Sequence, residues 1–269
     1  MLSDKSNGNL IFLISPCRSG STALLYGFSQ IPTVFPYYQP IKGAIRERKK
    51  FVMPDISHGY HLFKETIGHE NMDVCSYNPF EHIPSDIRIN AIFLFRNPVN
   101  TWESWKKMGW NPNLGLFIHA YSNAYNLLKK RLQTHPESTS CIIYDSLENT
   151  EIVSFIARTL CKKIGLPYTS NIIQWKHTPS IKKFIFLSNT NKIVAQACSE
   201  KLIRTRGIRR VENGGIIFTT ISESNIIKYK LGKKYSWIYK QFEKQFGNNG
   251  NISFLVKNRS LFENVLTKK

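Results

Sequence analysis

Residues 15–22 read SPCRSGST, a run of small side chains around one guanidinium. Small residues let successive backbone N–H groups point into one concavity, and Ser21 and Thr22 add hydroxyl donors. Arg18 contributes a forked positive charge that can bridge phosphate or sulfonate oxygens. The chemistry on offer is anion binding. Gly20 is followed by Ser21 and Thr22, with no Lys, so the loop lacks the ammonium that reaches the terminal phosphates of a triphosphate. A nucleotide with a 5′-phosphate fits it better than ATP hydrolysis does; a plain strand-to-helix turn is the alternative. A second candidate site is RNPVNTWES, residues 96–104. Asn97 can cap a helix whose first position is Pro98, where the missing N–H costs nothing. Ser104 follows Arg96 by eight residues, so at roughly 1.5 Å of rise per residue the two could flank one anion near the helix start. A surface Arg beside an ordinary helix Ser is the bland alternative.

Short apolar runs at residues 10–15, 61–64, 91–95 and 141–144, bounded by turn residues, read as buried strands. Helices are expected after Gly20, Pro98, Asn113 and Thr150. The longest keeps Leu114, Phe117, Ile118, Tyr121, Tyr125 and Leu128 on one face. Another carries Val153, Ile156, Ala157, Leu160 and Ile164 and stops at Gly165-Leu166-Pro167. Strand–helix alternation implies an α/β fold with a central parallel sheet flanked by helices, and ligands in such sheets sit at the carboxyl ends of the strands. The expected organisation is one domain over residues 1–269: an α/β core at 1–178 and an irregular basic C-terminal portion at 179–269.

Composition bounds the classes. The chain has 269 residues, 42% hydrophobic and 20% charged, as in ordinary globular proteins. No apolar run approaches the roughly 20 residues of a membrane span. Five cysteines without a CxxC pair argue against a zinc or disulfide framework, and a cytoplasmic location is expected. The formal net charge is +19. Residues 1–178 hold 19 basic and 13 acidic side chains, and residues 179–269 hold 18 and 5. A basic surface favours anionic partners, although a chain rich in Lys, Asn and Ile explains the charge equally well. With no helix-turn-helix, RNP or zinc-finger signature, nucleic acid is not the expected partner.

Taken together, CRSGST and RNPVNTWES resemble the sulfotransferases that use 3′-phosphoadenosine 5′-phosphosulfate (PAPS). The first is similar to that family's 5′-phosphosulfate loop, with Arg18 where members carry Lys or Arg. The second is similar to its 3′-phosphate motif. HLFKET (61–66) resembles the intervening strand that ends in Lys, and LCKKIGLPYTSNIIQW (160–175) resembles a helix-to-loop segment of bacterial members. The resemblance covers residues 8 to 178 in order and implies a P-loop NTPase-like sulfotransferase fold. It implies PAPS as donor and 3′-phosphoadenosine 5′-phosphate (PAP) as product, no metal, and a small-molecule or polymeric acceptor bearing a hydroxyl or amine. Cys17, Arg18, Ser19, Gly20, Ser21 and Thr22 would hold the 5′ end, and Arg96 and Ser104 the 3′-phosphate. Arg206 and Gly207, in RTRGIRR, are candidates for the basic element that members place over the 3′-phosphate; a solvated basic run is the alternative.

Sulfuryl transfer is mostly positioning plus charge stabilisation, by analogy with phosphoryl transfer. The resemblance assigns Arg18 and Lys64 to the charge on the bridging oxygen and the sulfuryl group. A base should take the acceptor's proton. Relatives often carry a Glu after the first helix, but YYQPIKG puts Gln39 there, which accepts no proton usefully. Glu65, beside Lys64, is the acidic candidate for the catalytic set, although alternation along a strand can turn it away. Glu47, His61 and His69 are further options. Asp145, at the end of CIIYD, looks like a magnesium-binding acid but reads better as structural, and Trp102 and Trp105 read as core. Tyr37, Tyr38 and Trp175 could line an aromatic acceptor pocket, or belong to the core. The rival functions are a P-loop kinase or NTPase, and a non-catalytic nucleotide-binding protein of the same fold.

Overall fold

A computed structural model describes residues 9–108, 113–148, 152–175, 180–199 and 220–247. Its centre is strand β1 (Asn9–Pro16), where Leu10 to Ile14 are all fully buried, as a strand covered on both faces requires. Helix α1 (Ser21–Phe28) follows, then β2 (Val34–Tyr38), α2 (Pro40–Arg46), β3 (Tyr60–Ile67) and α3 (Met72–Ser76). The second half adds β4 (Ile89–Phe95), α4 (Pro98–Lys106), α5 (Leu114–Thr134), β5 (Thr139–Ile143), α6 (Tyr144–Glu148) and α7 (Val153–Ile164). Helices α8 (Asn189–Ser199) and α9 (Ile221–Phe246) complete the described chain.

The five strands are parallel in the order β2-β3-β1-β4-β5. Because β1 lies between β3 and β4, the loop after β1 is flanked by the end of β3 on one side and the end of β4 on the other. That crevice is where open parallel sheets bind ligands. Local signals set several boundaries. Asn97 accepts from Val99 N at 2.9 Å with Pro98 at the first helical position, and Asn113 caps α5 through Leu116 N at 3.0 Å. Gly165, at φ 77°, ends α7.

The structure departs from the sequence expectation at β2, at Tyr144 and in the C-terminal portion. Strand β2 contains Pro36, which a sheet tolerates only at an edge. Its outer side is closed by Ile185, whose N–H donates to Pro36 O at 2.8 Å while Tyr38 N donates to Ile185 O at 3.0 Å. Tyr144 begins a helix instead of ending β5. The C-terminal portion is not irregular over residues 221–246. There Ile227, Leu231, Tyr235, Ile238, Tyr239, Phe242 and Phe246 form a buried stripe at helical spacing, diluted in the sequence by interleaved lysines. Thr220 and Glu223 cap α9 reciprocally, and Glu223 also accepts from Lys106 Nζ at 2.8 Å, tying α9 to α4. On β5, Cys141 N donates to Gln245 Oε1 at 2.8 Å, so α9 covers an edge that would otherwise expose its backbone. No helix among the described residues is long and apolar enough to cross a membrane.

Candidate functional site

The loop after β1 is built tightly. Cys17 N donates to Ile67 O at the end of β3 (2.9 Å), and Ser15 Oγ donates to Ser21 Oγ (2.9 Å). Arg18 (φ 72°) and Gly20 (φ 92°) both adopt the left-handed region, an uncommon conformation for a residue with a Cβ. At Gly20 no side chain fits, because a Cβ would stand 2.3 Å from the Tyr144 ring. Helix α1 starts at Ser21, so its first-turn N–H groups and positive dipole end face this loop, with Thr22 half-buried in the same turn.

Helix α4 is docked onto the loop at two adjacent residues. Arg18 Nε donates to Ser104 Oγ at 3.2 Å, and Trp105 Nε1 donates to Cys17 O at 2.8 Å. The two stretches singled out by sequence, 86 residues apart at this contact, are thus in direct contact. Arg96, which follows β4, has its guanidinium 5.1 Å from the Tyr144 ring. Its carbonyl accepts from Tyr121 OH at 2.8 Å. Tyr144 therefore bridges Gly20 and Arg96; sequence reasoning placed it in a strand and missed it. Its only signal was its place directly after the last apolar strand.

Several buried side-chain polar atoms have no hydrogen-bond partner within the described residues, among them Ser19 Oγ, Arg96 Nε and Trp102 Nε1. Buried donors are nearly always paired in folded proteins. Ser19 belongs to the first stretch, and Arg96 and Trp102 to the second.

On β3, neighbouring residues go to different surroundings. Lys64, 1% exposed, holds its ammonium 3.8 Å above the ring of Tyr38, its register partner on β2. Glu65 is fully buried and accepts from Ile41 N (2.8 Å), Lys42 N (3.2 Å) and Tyr77 OH (2.8 Å), so it receives the start of α2. Burial pushes its carboxyl up to about 7, against the pull of those donors and of Lys42. Thr66 accepts from Gln39 Nε2, whose Oε1 in turn accepts from Arg46 at 2.7 Å. Gln39 sits at φ 53°, and its carbonyl takes the Asn191 amide at 2.6 Å. Asn191 also accepts from Arg46 at 2.6 Å. Nothing in the local sequence pointed to Asn191, which reaches this turn from α8.

The other base candidates are dispersed. Glu47 is lowered to about 2, chiefly by the Ser188 hydroxyl and then by Lys49, which makes it a weak proton acceptor. His61 pairs in register with Leu10, at the end of the sheet opposite Cys17. It stacks on Phe35 with centroids 4.9 Å apart. His69 lies just past β3, at φ 117°, beside Trp105. Asp145 accepts from Tyr235 OH of α9 at 3.0 Å, which gives it a structural tie. Trp102 and Trp105 are each 1% exposed. Tyr38 stacks on Phe184 (5.8 Å), and Tyr26 meets Trp175 edge-on (4.8 Å), so these aromatics pack with one another. Arg206 and Gly207 lie outside the described residues.

No known protein family matches the chain by sequence, and no curated protein matches it. Among solved structures it is similar to the sulfotransferase domain of the Synechococcus PCC 7002 olefin synthase, at 11% identity and a TM-score of 0.47, covering 83% of this chain and 94% of that one. It is also similar to mouse sulfotransferase SULT7A1 complexed with PAP, at 14% identity and a TM-score of 0.46, covering 84% of each chain.

Proposed function

We propose that the chain is a PAPS-dependent sulfotransferase, moving a sulfuryl group to a hydroxyl or amine of its acceptor. The observation that carries this reading is the hydrogen bond from Arg18 to Ser104, at 3.2 Å, which joins the loop after β1 to the last turn of α4. A bisphosphorylated nucleotide needs two anion-binding sites within the length of one molecule. Ser19 Oγ and Arg96 Nε, one in each stretch and both buried without a partner among the described residues, are compatible with that arrangement, although such atoms also occur elsewhere in the fold.

In this reading the first-turn N–H groups of α1 and the hydroxyls of Ser19, Ser21 and Thr22 hold the 5′ end. Arg96 and Ser104 hold the 3′-phosphate. Accepting from Arg18 leaves Ser104 its own hydroxyl hydrogen to donate. Arg18 and Lys64 stabilise charge as the sulfuryl group leaves, and their value rises where water is excluded. Lys64 is suited to that because it is almost wholly buried. Glu65 positions Lys64's strand against α2 through its hydrogen bonds from Ile41 N and Lys42 N.

The test is a melting comparison. PAP at about 100 times its dissociation constant should stabilise the fold by about 2.7 kcal/mol, roughly 5–10 °C for a chain of this size. ADP should do much less, and Arg96→Ala should remove most of the difference. Equal responses to PAP and ADP sink the reading, as does a response to Mg-ATP alone.

A further inference from the structure

Helix α9 carries six lysines and two glutamates, and the fold sorts them. The buried stripe from Ile227 to Phe246 takes one side. Ile226, Tyr229, Lys233, Lys240 and Lys244, spaced by three, four, seven and four residues, take the opposite side with Lys230 beside them, and all six are exposed. The nine exposed positions of the helix hold no carboxylate. Both glutamates are half-buried, and Glu223 is already held by Lys106 Nζ at 2.8 Å and by the Thr220 N–H at 2.8 Å. The ion pairs among the described residues involve none of the six lysines. A helix face that meets only water ordinarily mixes the two signs. A Lys-rich composition accounts for the number of lysines, not for a face from which every acid is missing.

The surface continues beyond α9. Trp237 packs edge-on against Tyr125 of α5 with centroids 5.3 Å apart, and Lys234 Nζ stands 5.9 Å from the same ring. Lys129, exposed and one turn after Tyr125, extends the basic face onto α5. Towards the start of α9 the face turns apolar. Ile221, Ile226 and Tyr229 are 82%, 41% and 77% exposed, three of the eight large apolar side chains that the described residues leave in solvent. Single exposed apolar side chains are ordinary, whereas these three share the first nine residues of one helix. Tyr235 OH donates to Asp145, two residues past β5, and Gln245 accepts from Cys141 within it, so α9 runs antiparallel to β5. Residues 221–234 therefore lie past the carboxyl end of the sheet, the end that carries the anion loop, over about 20 Å.

We propose that this face of α9 docks on the surface of an anionic lipid bilayer. Lysine ammoniums are point charges that suit the diffuse field of an anionic lipid surface, and each one close to it adds to binding. The exposed Ile and Tyr side chains beside them can enter the headgroup layer, as in helices that lie at a membrane without crossing it. Nucleic acid offers the same negative charge. Yet no arginine, the forked side chain that grips phosphate oxygens in pairs, stands among the 26 residues of α9. A second copy of this chain would bring like charge to the face, as would residues 200–219 and 248–269, which hold nine basic and three acidic side chains. Docking turns the apolar end of α9, and with it the carboxyl end of the sheet, towards the bilayer. It requires nothing of the chemistry proposed for the anion loop.

The experiment is sedimentation of the full chain with vesicles of phosphatidylcholine, alone or mixed with phosphatidylserine. The chain should pellet with the mixed vesicles, hardly at all with phosphatidylcholine alone, and less as salt is raised. Lys233→Gln, Lys240→Gln and Lys244→Gln together should weaken that binding by about 10²-fold. Gln matches Lys in helix propensity, so the melting temperature should not move. Lys50→Gln, Lys182→Gln and Lys192→Gln remove the same charge from exposed positions around the β2 edge, opposite α9, and should keep binding within about threefold. Ile226→Ser with Tyr229→Ser should lose the part of the binding that survives high salt. Equal pelleting with both kinds of vesicle, or equal losses in the two triple variants, overturns the proposal. An RNA complex that the α9 triple variant loses, with no binding to vesicles, overturns it and assigns the face to nucleic acid. A dimer in light scattering that the same variant dissociates overturns it in favour of a second copy.

Discussion

Replacing Glu65 by Gln separates two opposed forces on one buried carboxyl. Glu65 is fully buried and carries three donors, two of them backbone N–H groups at the start of α2. Burial outweighs those donors and raises the carboxyl from 4.5 to about 7. The folded state therefore binds more protons than the unfolded chain between those values, and the stability this group contributes is complete below about pH 4.5 and falls as pH rises to 7. At 1.36 kcal/mol per pH unit the loss is about 3 kcal/mol, most of it between about pH 5 and 8. Gln imitates the protonated acid but sets an NH2 against one of the three donors, which costs about 1–3 kcal/mol at low pH. Urea denaturation of both proteins across that range should show Glu65→Gln less stable at pH 5 and the gap closing by about 2–3 kcal/mol at pH 8. A gap that is constant, or that widens with pH, would mean that the start of α2 holds Glu65 ionised, and the reasoning from burial would fail.

Trp105→Phe keeps the ring packing but leaves Cys17 O without its donor, a loss of about 1–3 kcal/mol. Its melting temperature should fall by several degrees and its PAP affinity with it; unchanged PAP affinity would dissociate α4 from the loop. Gly20→Ala should be strongly destabilised, since its Cβ meets the Tyr144 ring at 2.3 Å and its φ is 92°. Adding Tyr144→Ala should recover the part due to the ring and leave about 1–2 kcal/mol of backbone cost; strict additivity of the two changes in a double-mutant cycle would count against the overlap. Lys64→Met preserves the stem over Tyr38 and removes the charge. Transfer should drop by about 10²–10³-fold with the PAP-induced shift in melting temperature retained, and normal turnover would remove Lys64 from the chemistry.

What is local in this protein is legible in its sequence. The loop SPCRSGST is small-residue backbone followed at once by a helix start, and Asn97-Pro98 is a cap and a first helical position, so each announces itself within a few residues. The buried strands β1 and β4 are continuous apolar runs for the same reason. Strand β2 was hidden because Pro36 is admissible only at an edge, and whether a strand is an edge is a property of the sheet, not of the segment. Helix α9 was hidden because its buried stripe is spread among lysines.

The sequence by itself determined where a small-residue loop runs into a helix start and where a cap follows a guanidinium, since backbone donors, caps and a charged side chain need only their near neighbours. Only the tertiary structure decided that Ser104 meets Arg18, that Trp105 meets Cys17, and that Glu65 receives α2 while Lys64 meets Tyr38. Those contacts follow from β1 standing between β3 and β4, and strand order is set by the burial of whole faces against one another. No residue's immediate neighbours along the chain carry that information.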